Sequence, residues 1–279
     1  MNNSIPFNIN VLYLITSPRR GEEGVARRLV ESISDVSNSG GHFNFTSGKI
    51  YTAEGFFQLL DEVYQGIKNG IRPMLHFDMH GSQVNGLEIG PSGEFIDWET
   101  VIECLRFLNI ELKNELVVVI TACHGLFTIL PINLEKEAPF LCLIAPEGEI
   151  TVGAIEDAIP KFYQELFQSG SLVNACRKLG GAFNYFHSAE FLFKILIRYF
   201  KEKCKGVGGR KRKEELLTMV MQTSLGDFPE NLSIYRAQVK QYLTPSQDIL
   251  DRYTSRFLMG KAAEIKVDDL LMEIDKSSL

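Results

Sequence analysis

Short apolar runs alternate along the chain with longer segments in which apolar residues recur every three or four positions. The short runs are rich in β-branched residues and predict buried strands, whereas the longer segments predict amphipathic helices. The predicted strands cover residues 9–15, 72–79, 116–122 and 140–144. The predicted helices lie around 25–36, 56–67, 101–108 and 153–167. This alternation is typical of an α/β fold with a mostly parallel sheet and helices on both faces.

The pattern changes after Ser188, from where nearly every apolar segment has helical spacing. We therefore expect a first domain over 1–204 and a helical extension over 205–279 that packs on it. Near this boundary, the stretch 203–213 combines basic residues with glycines and predicts an exposed, solvated loop. A proteolytic nick site and a contact for an acidic partner are the alternative roles of such a loop.

Chemically reactive side chains follow two of the predicted strands. His80 comes directly after the strand 72–79, and Cys123 follows the strand 116–122. Ligands of open α/β sheets bind beyond the carboxyl ends of the strands, where these two residues would meet. An imidazole can take the proton of a thiol and later return one to a leaving amine. The sequence thus predicts a Cys–His pair for acyl transfer, although a single His or Cys at a strand end is more often structural.

An oxyanion hole is expected beside this pair. Gly81 follows His80 and lacks a Cβ, so its backbone N–H can approach a substrate closely. Together with the backbone N–H of Cys123, it would bind the oxyanion of a tetrahedral intermediate.

The order of a strand ending in His-Gly and a later strand ending in Ala-Cys resembles the caspase-like (clan CD) cysteine peptidases. The chain resembles the CHAT branch most closely, and that branch also resembles separase. Residues 85–98 are similar to the short hairpin that follows the histidine in CHAT domains. Residues 139–151 and 161–167 resemble the next strand of the family and its Phe-Tyr helix. The resemblance covers about residues 8–200.

This resemblance implies a caspase-like fold and a role for each residue of the pair. Cys123 would be the nucleophile, His80 the base and then the acid, and the amides of Gly81 and Cys123 the oxyanion hole. One departure is His124, which follows the nucleophile at a position where family members vary widely. In bacteria such proteases often belong to immune systems, so the resemblance also suggests a role in antiviral defence.

Two charged segments are candidates for binding the substrate residue before the scissile bond (P1). Arg19 and Arg20 follow the first strand, where caspases place an arginine that binds an acidic P1 side chain. Glu147 and Glu149 follow the strand after the cysteine, where the separase-like branch places an acid for a basic P1. Both segments should lie at the same edge of the sheet. The sequence leaves the choice open and slightly favours the glutamates, because residues 146–151 look more like the separase-type branch.

Asp78 lies two residues before His80, on the same face of the predicted strand. It is a candidate for orienting the imidazole or for binding substrate. A structural role is the alternative, because peptidases of this type usually work as a dyad whose ring is held by a backbone carbonyl.

Composition and charge agree with a soluble enzyme. Of the 279 residues, 45% are apolar and 23% charged, and the net charge of −6 gives no reason to expect nucleic acid. No basic signal sequence or membrane-spanning run is evident, so we expect a cytoplasmic protein without membrane contact. The five cysteines form no C-x-x-C pair and are expected to be reduced. We expect no cofactor and no metal, although a zinc site built from His76, His80, Cys123 and His124 is conceivable.

The sequence therefore predicts a cytoplasmic cysteine endopeptidase that cleaves one or a few protein substrates and is activated by a regulatory protein partner. The alternative is a catalytically inactive caspase-like domain that serves as an interaction module. A serine hydrolase of the α/β type is excluded, because no G-x-S-x-G motif occurs in the chain.

Overall fold

A single sheet organises the N-terminal part of the chain in the computed structural model, which describes residues 8–40, 43–204, 206–223, 228–261 and 266–276. Its strands are β1 (Val11–Ser17), β2 (Asn44–Lys49), β3 (Pro73–Ser82), β4 (Gly86–Ile89), β5 (Glu94–Ile96), β6 (Val117–Ile120), β7 (Cys142–Ala145) and β8 (Asn184–His187). The main path runs in the order β2-β1-β3-β6-β7-β8. All neighbours on this path are parallel except β8, which is antiparallel to β7. The hairpin of β4 and β5 extends antiparallel from the end of β3.

The helices of this unit connect the strands and cover both faces of the sheet. They are α1 (Glu23–Gly40), α2 (Ala53–Lys68), α3 (Trp98–Glu111), α4 (Val152–Ser169) and α5 (Leu172–Cys176). Two of these helices begin at N-caps, since the side chains of Thr52 and Asp97 accept hydrogen bonds from the amides of Gly55 and Thr100. The helix α2 ends with Asn69 at the C-cap and Gly70 at a positive φ of 91°.

The core divides into two layers because successive side chains of a strand point to opposite faces. On one face, Leu14, Val119 and their neighbours pack against α1 and α4 in a cluster that also holds Ile33 and Phe162. On the other face, the ring of Phe77 in β3 lies 5.7 Å from that of Phe56 in α2. The helix α2 in turn packs on α3, with ring centroids of Tyr64 and Phe107 separated by 4.4 Å. The predicted α/β fold with a mostly parallel sheet is confirmed.

The four predicted strands are confirmed with slightly different ends, and the helices predicted between them also form. The strand β8 was not predicted. It has only four residues, Asn184–His187, three of which are partly or fully exposed and only one of which, Phe186, is buried, so no alternating pattern marks it. Its pairing to β7 is a tertiary interaction that local sequence does not reveal.

The C-terminal residues form a second, helical unit. Its elements are α6 (Ser188–Tyr199), a π-helical turn (Phe200–Cys204), α7 (Gly206–Thr223), α8 (Phe228–Tyr242), α9 (Gln247–Phe257) and α10 (Val267–Lys276). The two compact units divide between Ser188 and Ala189, whereas the sequence placed the boundary after Cys204. The difference arises because α6 packs with later helices, as seen in the 6.3 Å contact between the rings of Phe191 and Phe257. Within the described ranges, no helix is long and apolar enough to cross a membrane.

For the described part of 203–213, which excludes Lys205, most residues are exposed or partly exposed as predicted, but the prediction of a loop was wrong. These residues are helical, in the π-helical turn and the start of α7. The glycines serve close packing here. A Cβ on Gly208 would lie 1.9 Å from the carbonyl oxygen of Glu202, and one on Gly209 would lie 2.8 Å from that of Cys204. Glycine lets the two helical turns approach each other. In a sequence, glycines that allow such packing look the same as glycines of a loop.

We predict that Gly208→Ala destabilises the helical unit. The added methyl group would overlap the Glu202 carbonyl oxygen, and we expect a loss of about 1–3 kcal/mol in the free energy of unfolding. Gly153→Ala is the matched control, because a Cβ at that position in α4 meets nothing within 4 Å. The control should be neutral or stabilising by up to about 1 kcal/mol. Urea denaturation followed by circular dichroism measures both, and equal effects would contradict the close approach.

Candidate active site at the carboxyl edge of the sheet

The register of two adjacent parallel strands brings His80 and Cys123 to one edge of the sheet. The pairing of β3 with β6 ends at Phe77 opposite Ile120. One residue further, the amide of Thr121 still donates to the carbonyl oxygen of Phe77, at 2.9 Å. His80 and Cys123 each lie three residues beyond this last pair. The structure thus places the predicted base and nucleophile at equivalent positions after neighbouring strands.

Gly81 lies directly against the backbone of Cys123. A Cβ built on Gly81 would stand 2.1 Å from the carbonyl oxygen of Cys123 and 3.0 Å from the side chain of Ala122. The contact with the carbonyl oxygen is far shorter than a Cβ tolerates and the contact with Ala122 is tight, so only glycine permits this approach. The His-Gly and Ala-Cys segments therefore form one continuous site.

The imidazole of His80 is held by a carboxylate that the sequence analysis did not identify. Nε2 of His80 lies 2.6 Å from Oε2 of Glu22, the residue immediately before α1. This hydrogen bond is the main cause that lowers the pKa of Glu22, and the backbone N–H of Arg19 also donates to the same carboxylate. Both side chains remain partly accessible, with 35% of His80 and 42% of Glu22 exposed. With Nε2 engaged, Nδ1 is the nitrogen that remains to take a proton from a thiol.

The thiol of Cys123 contacts the backbone of Ile150 through both polar groups of that residue, and the Ile150 carbonyl oxygen lies 3.8 Å from Sγ as an acceptor for the thiol proton. The amide of Ile150 lies 3.4 Å from Sγ and donates to it. Ile150 directly precedes Thr151, the N-cap of α4, so this donor stands at the positive end of a helix dipole.

The segment 146–151 wraps around the cysteine. The amide of His124 donates to the carbonyl oxygen of Gly148, and that of Leu126 to Pro146, each at 2.9 Å. His124 itself adopts a left-handed backbone with a φ of 60°, which turns the chain sharply after Cys123. Glu147 and Glu149 are exposed on this segment, one on each side of Gly148. The two glutamates therefore belong to a loop that is hydrogen-bonded to the residues around the nucleophile.

Arg19 forms an ion pair with Glu88 on the opposite side of the site. The guanidinium donates two hydrogen bonds to the carboxylate, at 2.7 and 2.5 Å. This contact lowers the pKa of Glu88, which lies opposite His80 in the pairing of β3 with β4. Arg20 is exposed in the turn between β1 and α1. Of the two predicted arginines, Arg19 is therefore already neutralised by a carboxylate of the protein.

Asp78 is not the residue that holds the imidazole. It is partly buried and accepts a hydrogen bond from the hydroxyl of Thr121, at 2.9 Å. Burial raises the pKa of Asp78, while the Thr121 bond and the charge of His80 act in the opposite direction. Glu22 has the orienting position that the sequence analysis considered for Asp78.

The histidines and cysteines of the conceivable zinc site do not converge. Both ring nitrogens of His76 are engaged in the core, by the hydroxyl of Tyr163 at 3.0 Å and that of Thr121 at 3.2 Å. Within the part of the chain that the structure describes, no group of three or more His, Cys, Asp or Glu residues could hold a metal ion.

The other cysteines lie in less reactive surroundings. All five cysteines are free thiols. Burial raises the pKa of Cys176 to about 12 and also raises the pKa values of Cys104 and Cys204. Cys142 is fully buried in β7. Burial therefore disfavours the reactive thiolate form of Cys104, Cys176 and Cys204.

Comparison with known proteins adds no assignment. No protein-family model matches the chain, and no curated protein sequence matches it significantly. Function is therefore inferred from the residues of the site.

We predict that Cys123 is the most reactive thiol of the folded protein. Iodoacetamide should alkylate it faster than Cys104, Cys142, Cys176 or Cys204, because only Cys123 lies at the edge of the sheet where the strand that carries His80 also ends, and its sulfur accepts from a backbone donor. Mass spectrometry of tryptic peptides at short reaction times measures each rate. Cys123→Ser should remove the fast phase, and equal rates for all five cysteines would show that Cys123 is structural.

Proposed function

We propose that the chain is a caspase-like cysteine endopeptidase of the CHAT type. The observation that supports this most strongly is the single site formed by His80-Gly81 and Ala122-Cys123 after adjacent parallel strands. A nucleophile, a base and a closely approaching glycine in this order are what acyl transfer to a thiol requires. A cytoplasmic location is proposed from the sequence pattern, and a role in bacterial immunity is proposed from the family resemblance.

Catalysis would begin with transfer of the Cys123 thiol proton to Nδ1 of His80. The thiolate then attacks the scissile carbonyl carbon, forming a carbon–sulfur bond while the carbonyl electrons move to oxygen. The amides of Gly81 and Cys123 would donate to this oxyanion. His80 next gives its proton to the leaving amine as the carbon–nitrogen bond breaks, which leaves a thioester on Cys123. Water, deprotonated by His80, hydrolyses the thioester and restores the thiol.

Glu22 extends the proposed dyad to three residues. Its carboxylate accepts from Nε2–H of His80 at 2.6 Å, so it fixes the ring orientation and stabilises the imidazolium that forms when the thiol is deprotonated. The role resembles that of the acid in other hydrolytic triads. The family resemblance implied a dyad, and Glu22 is the residue in which this site departs from it.

A preference for a basic P1 side chain is the proposed specificity. Glu147 and Glu149 are exposed on the segment that wraps around Cys123, and carboxylates pair favourably with Lys or Arg. An acidic P1 would have to displace Glu88 from its two hydrogen bonds with Arg19. The ion pair therefore favours the glutamates over Arg19 as the P1 partner.

Control by a protein partner is proposed for a general reason. An unregulated endopeptidase would damage other proteins of the same compartment. The described residues of 189–279 contribute no strand to the sheet that carries the proposed site, and we propose that they make the regulatory contacts.

We predict that three substitutions separate the proposed catalytic roles. Cys123→Ala and His80→Ala should each lower kcat/KM by about 10³-fold or more, since each removes a reacting group. Glu22→Gln should lower it by about 10- to 100-fold, the worth of a hydrogen bond to a charged group. The assay is hydrolysis of a fluorogenic peptide library by the full-length chain.

His124→Asn is the control, because asparagine tolerates the left-handed backbone and the variant removes the neighbouring imidazole. It should retain activity. If His124→Asn is inactive and His80→Ala is active, the base is misassigned. If the wild-type chain hydrolyses no peptide and no candidate partner activates it, the domain is an interaction module instead.

We predict that the peptide profile shows cleavage after Lys or Arg. Glu147→Gln or Glu149→Gln should weaken this preference by about 10-fold or more, since a charged partner is lost from the recognition of P1. Arg20→Gln, which changes the exposed arginine at the same edge, is the charge control and should leave the profile unchanged. Cleavage after Asp that is insensitive to both glutamate variants would transfer the role to the arginines.

A further inference from the structure

A buried chain of polar side chains leads from the core to the candidate site. We call Tyr163, His76, Thr121 and Asp78 the polar chain. The hydroxyl of Tyr163 lies 3.0 Å from Nδ1 of His76, and Nε2 of His76 lies 3.2 Å from Oγ1 of Thr121. The same hydroxyl of Thr121 lies 2.9 Å from Oδ1 of Asp78. The chain begins on α4, crosses from β3 to the end of β6, and returns to β3 beside His80.

The direction of these hydrogen bonds follows from the protons that are available. Burial lowers the pKa of His76 to about 3 and raises that of Tyr163 well above its usual value, so at neutral pH the ring is neutral and the phenol keeps its proton. A neutral imidazole donates from one nitrogen and accepts at the other. If Tyr163 donates to Nδ1, then Nε2–H donates to Thr121, and Thr121 donates to Asp78.

The opposite direction leaves a buried proton without an acceptor. In that arrangement Nδ1–H of His76 would donate to the oxygen of Tyr163, and Thr121 would donate to Nε2. The phenol proton would then lack an acceptor among the contacts of Tyr163 that the structure describes. Leaving a fully buried donor unsatisfied is costly, so the direction toward Asp78 is favoured. The carbonyl oxygen of Phe77 is a second acceptor for the Thr121 hydroxyl, at 3.2 Å, and Asp78 at 2.9 Å is the shorter of the two contacts.

Burying the side chains of the polar chain in the core costs free energy of desolvation. His76 and Tyr163 are fully buried, and Tyr163 belongs to the apolar cluster between the sheet and the helices α1 and α4. Apolar side chains of similar volume would avoid the desolvation of these polar groups. The chain ends at Asp78, whose charge interacts with both His80 and Glu22. Its placement therefore suggests a role at the site rather than in the core.

We propose that Tyr163, His76 and Thr121 hold Asp78 as a carboxylate behind His80, and that Asp78 is a positioning residue for the proposed catalytic pair. This inference rests on the proposed function. The negative charge of Asp78 acts together with Glu22 to stabilise the imidazolium form of His80. Thr121 connects His76 to Asp78. Its single hydroxyl proton is available to Asp78 only when Nε2–H of His76 donates to the Thr121 oxygen.

The first test is NMR spectroscopy of the full-length chain and does not depend on activity. Long-range ¹⁵N–¹H correlation at pH 7 should show the Nε2–H tautomer of His76, and the Cγ shift of Asp78 should be that of a carboxylate. Tyr163→Phe removes the first donor and should let the two His76 tautomers mix. A wild-type His76 in the Nδ1–H tautomer, or a protonated Asp78, would overturn the proposal.

The second test compares two substitutions of Thr121 by the rate at which iodoacetamide alkylates Cys123. Thr121→Val removes the hydroxyl and should slow alkylation about fivefold, the effect of losing one hydrogen bond in the chain. Thr121→Ser keeps the hydroxyl and should restore the wild-type rate to within about twofold. Thr254→Val, which removes another buried threonine hydroxyl in the helical unit, controls for loss of stability and should not change the rate. Equal rates for Thr121→Val and the wild type would overturn the proposal.

The two tests separate this inference from the proposed function. If wild-type Cys123 reacts no faster than the other thiols, the peptidase proposal fails, while the NMR result still decides the direction of the polar chain. If Cys123 is fast and Thr121→Val leaves its rate unchanged, the peptidase proposal stands and the role of Asp78 is refuted.

Discussion

The parallel pairing of β3 with β6 is the constraint on which the candidate site depends. Because the two strands run in the same direction and their register ends at Phe77 and Ile120, both continue past the sheet on one side. A shift of the register by one residue would move His80 to the other face of the sheet, away from Cys123. The Thr121 amide extends this pairing by one residue, and the contact of Gly81 with Cys123 extends it further. The placement of the proposed base and nucleophile at one edge therefore depends on the register of these strands.

The carboxylates around His80 differ in their ion pairing and in their exposure to solvent. Glu22, Asp78 and Glu88 surround the imidazole, and only Glu88 is neutralised by a strong ion pair, with Arg19. Three uncompensated carboxylates would repel one another, whereas one ion pair leaves two to stabilise a positive ring. Glu22 is accessible and Asp78 is partly buried, so solvent screens the first more than the second. A buried carboxylate can therefore contribute to the site even though it makes no hydrogen bond to His80 in the described contacts.

The sequence predicts the strands and the two reacting residues because both signals are local. His80 and Cys123 directly follow apolar runs, and the pattern of the runs needs no knowledge of the rest of the fold. Glu22 could not be identified in the same way, because it lies 58 residues from His80 and meets it only when α1 packs on the sheet. The glycines at 208 and 209 show the same limit, since their signal for a loop conceals a close approach between two helical turns. The one local signal for Glu22 is its position in the charged segment after the first strand, close to Arg19 and Arg20.

The starts of α1 and α4 connect the two halves of the site. Glu22 immediately precedes α1 and contacts His80, whereas Ile150 precedes the cap of α4 and donates to Cys123. The two helices pack on the same face of the sheet, and Arg28 of α1 forms an ion pair with Glu156 of α4 at 2.8 Å. A displacement of either helix would therefore change the surroundings of one member of the pair relative to the other. Since such packed interfaces move as units, a partner that shifts α1 or α4 by a small amount has a direct physical route to the proposed nucleophile and base.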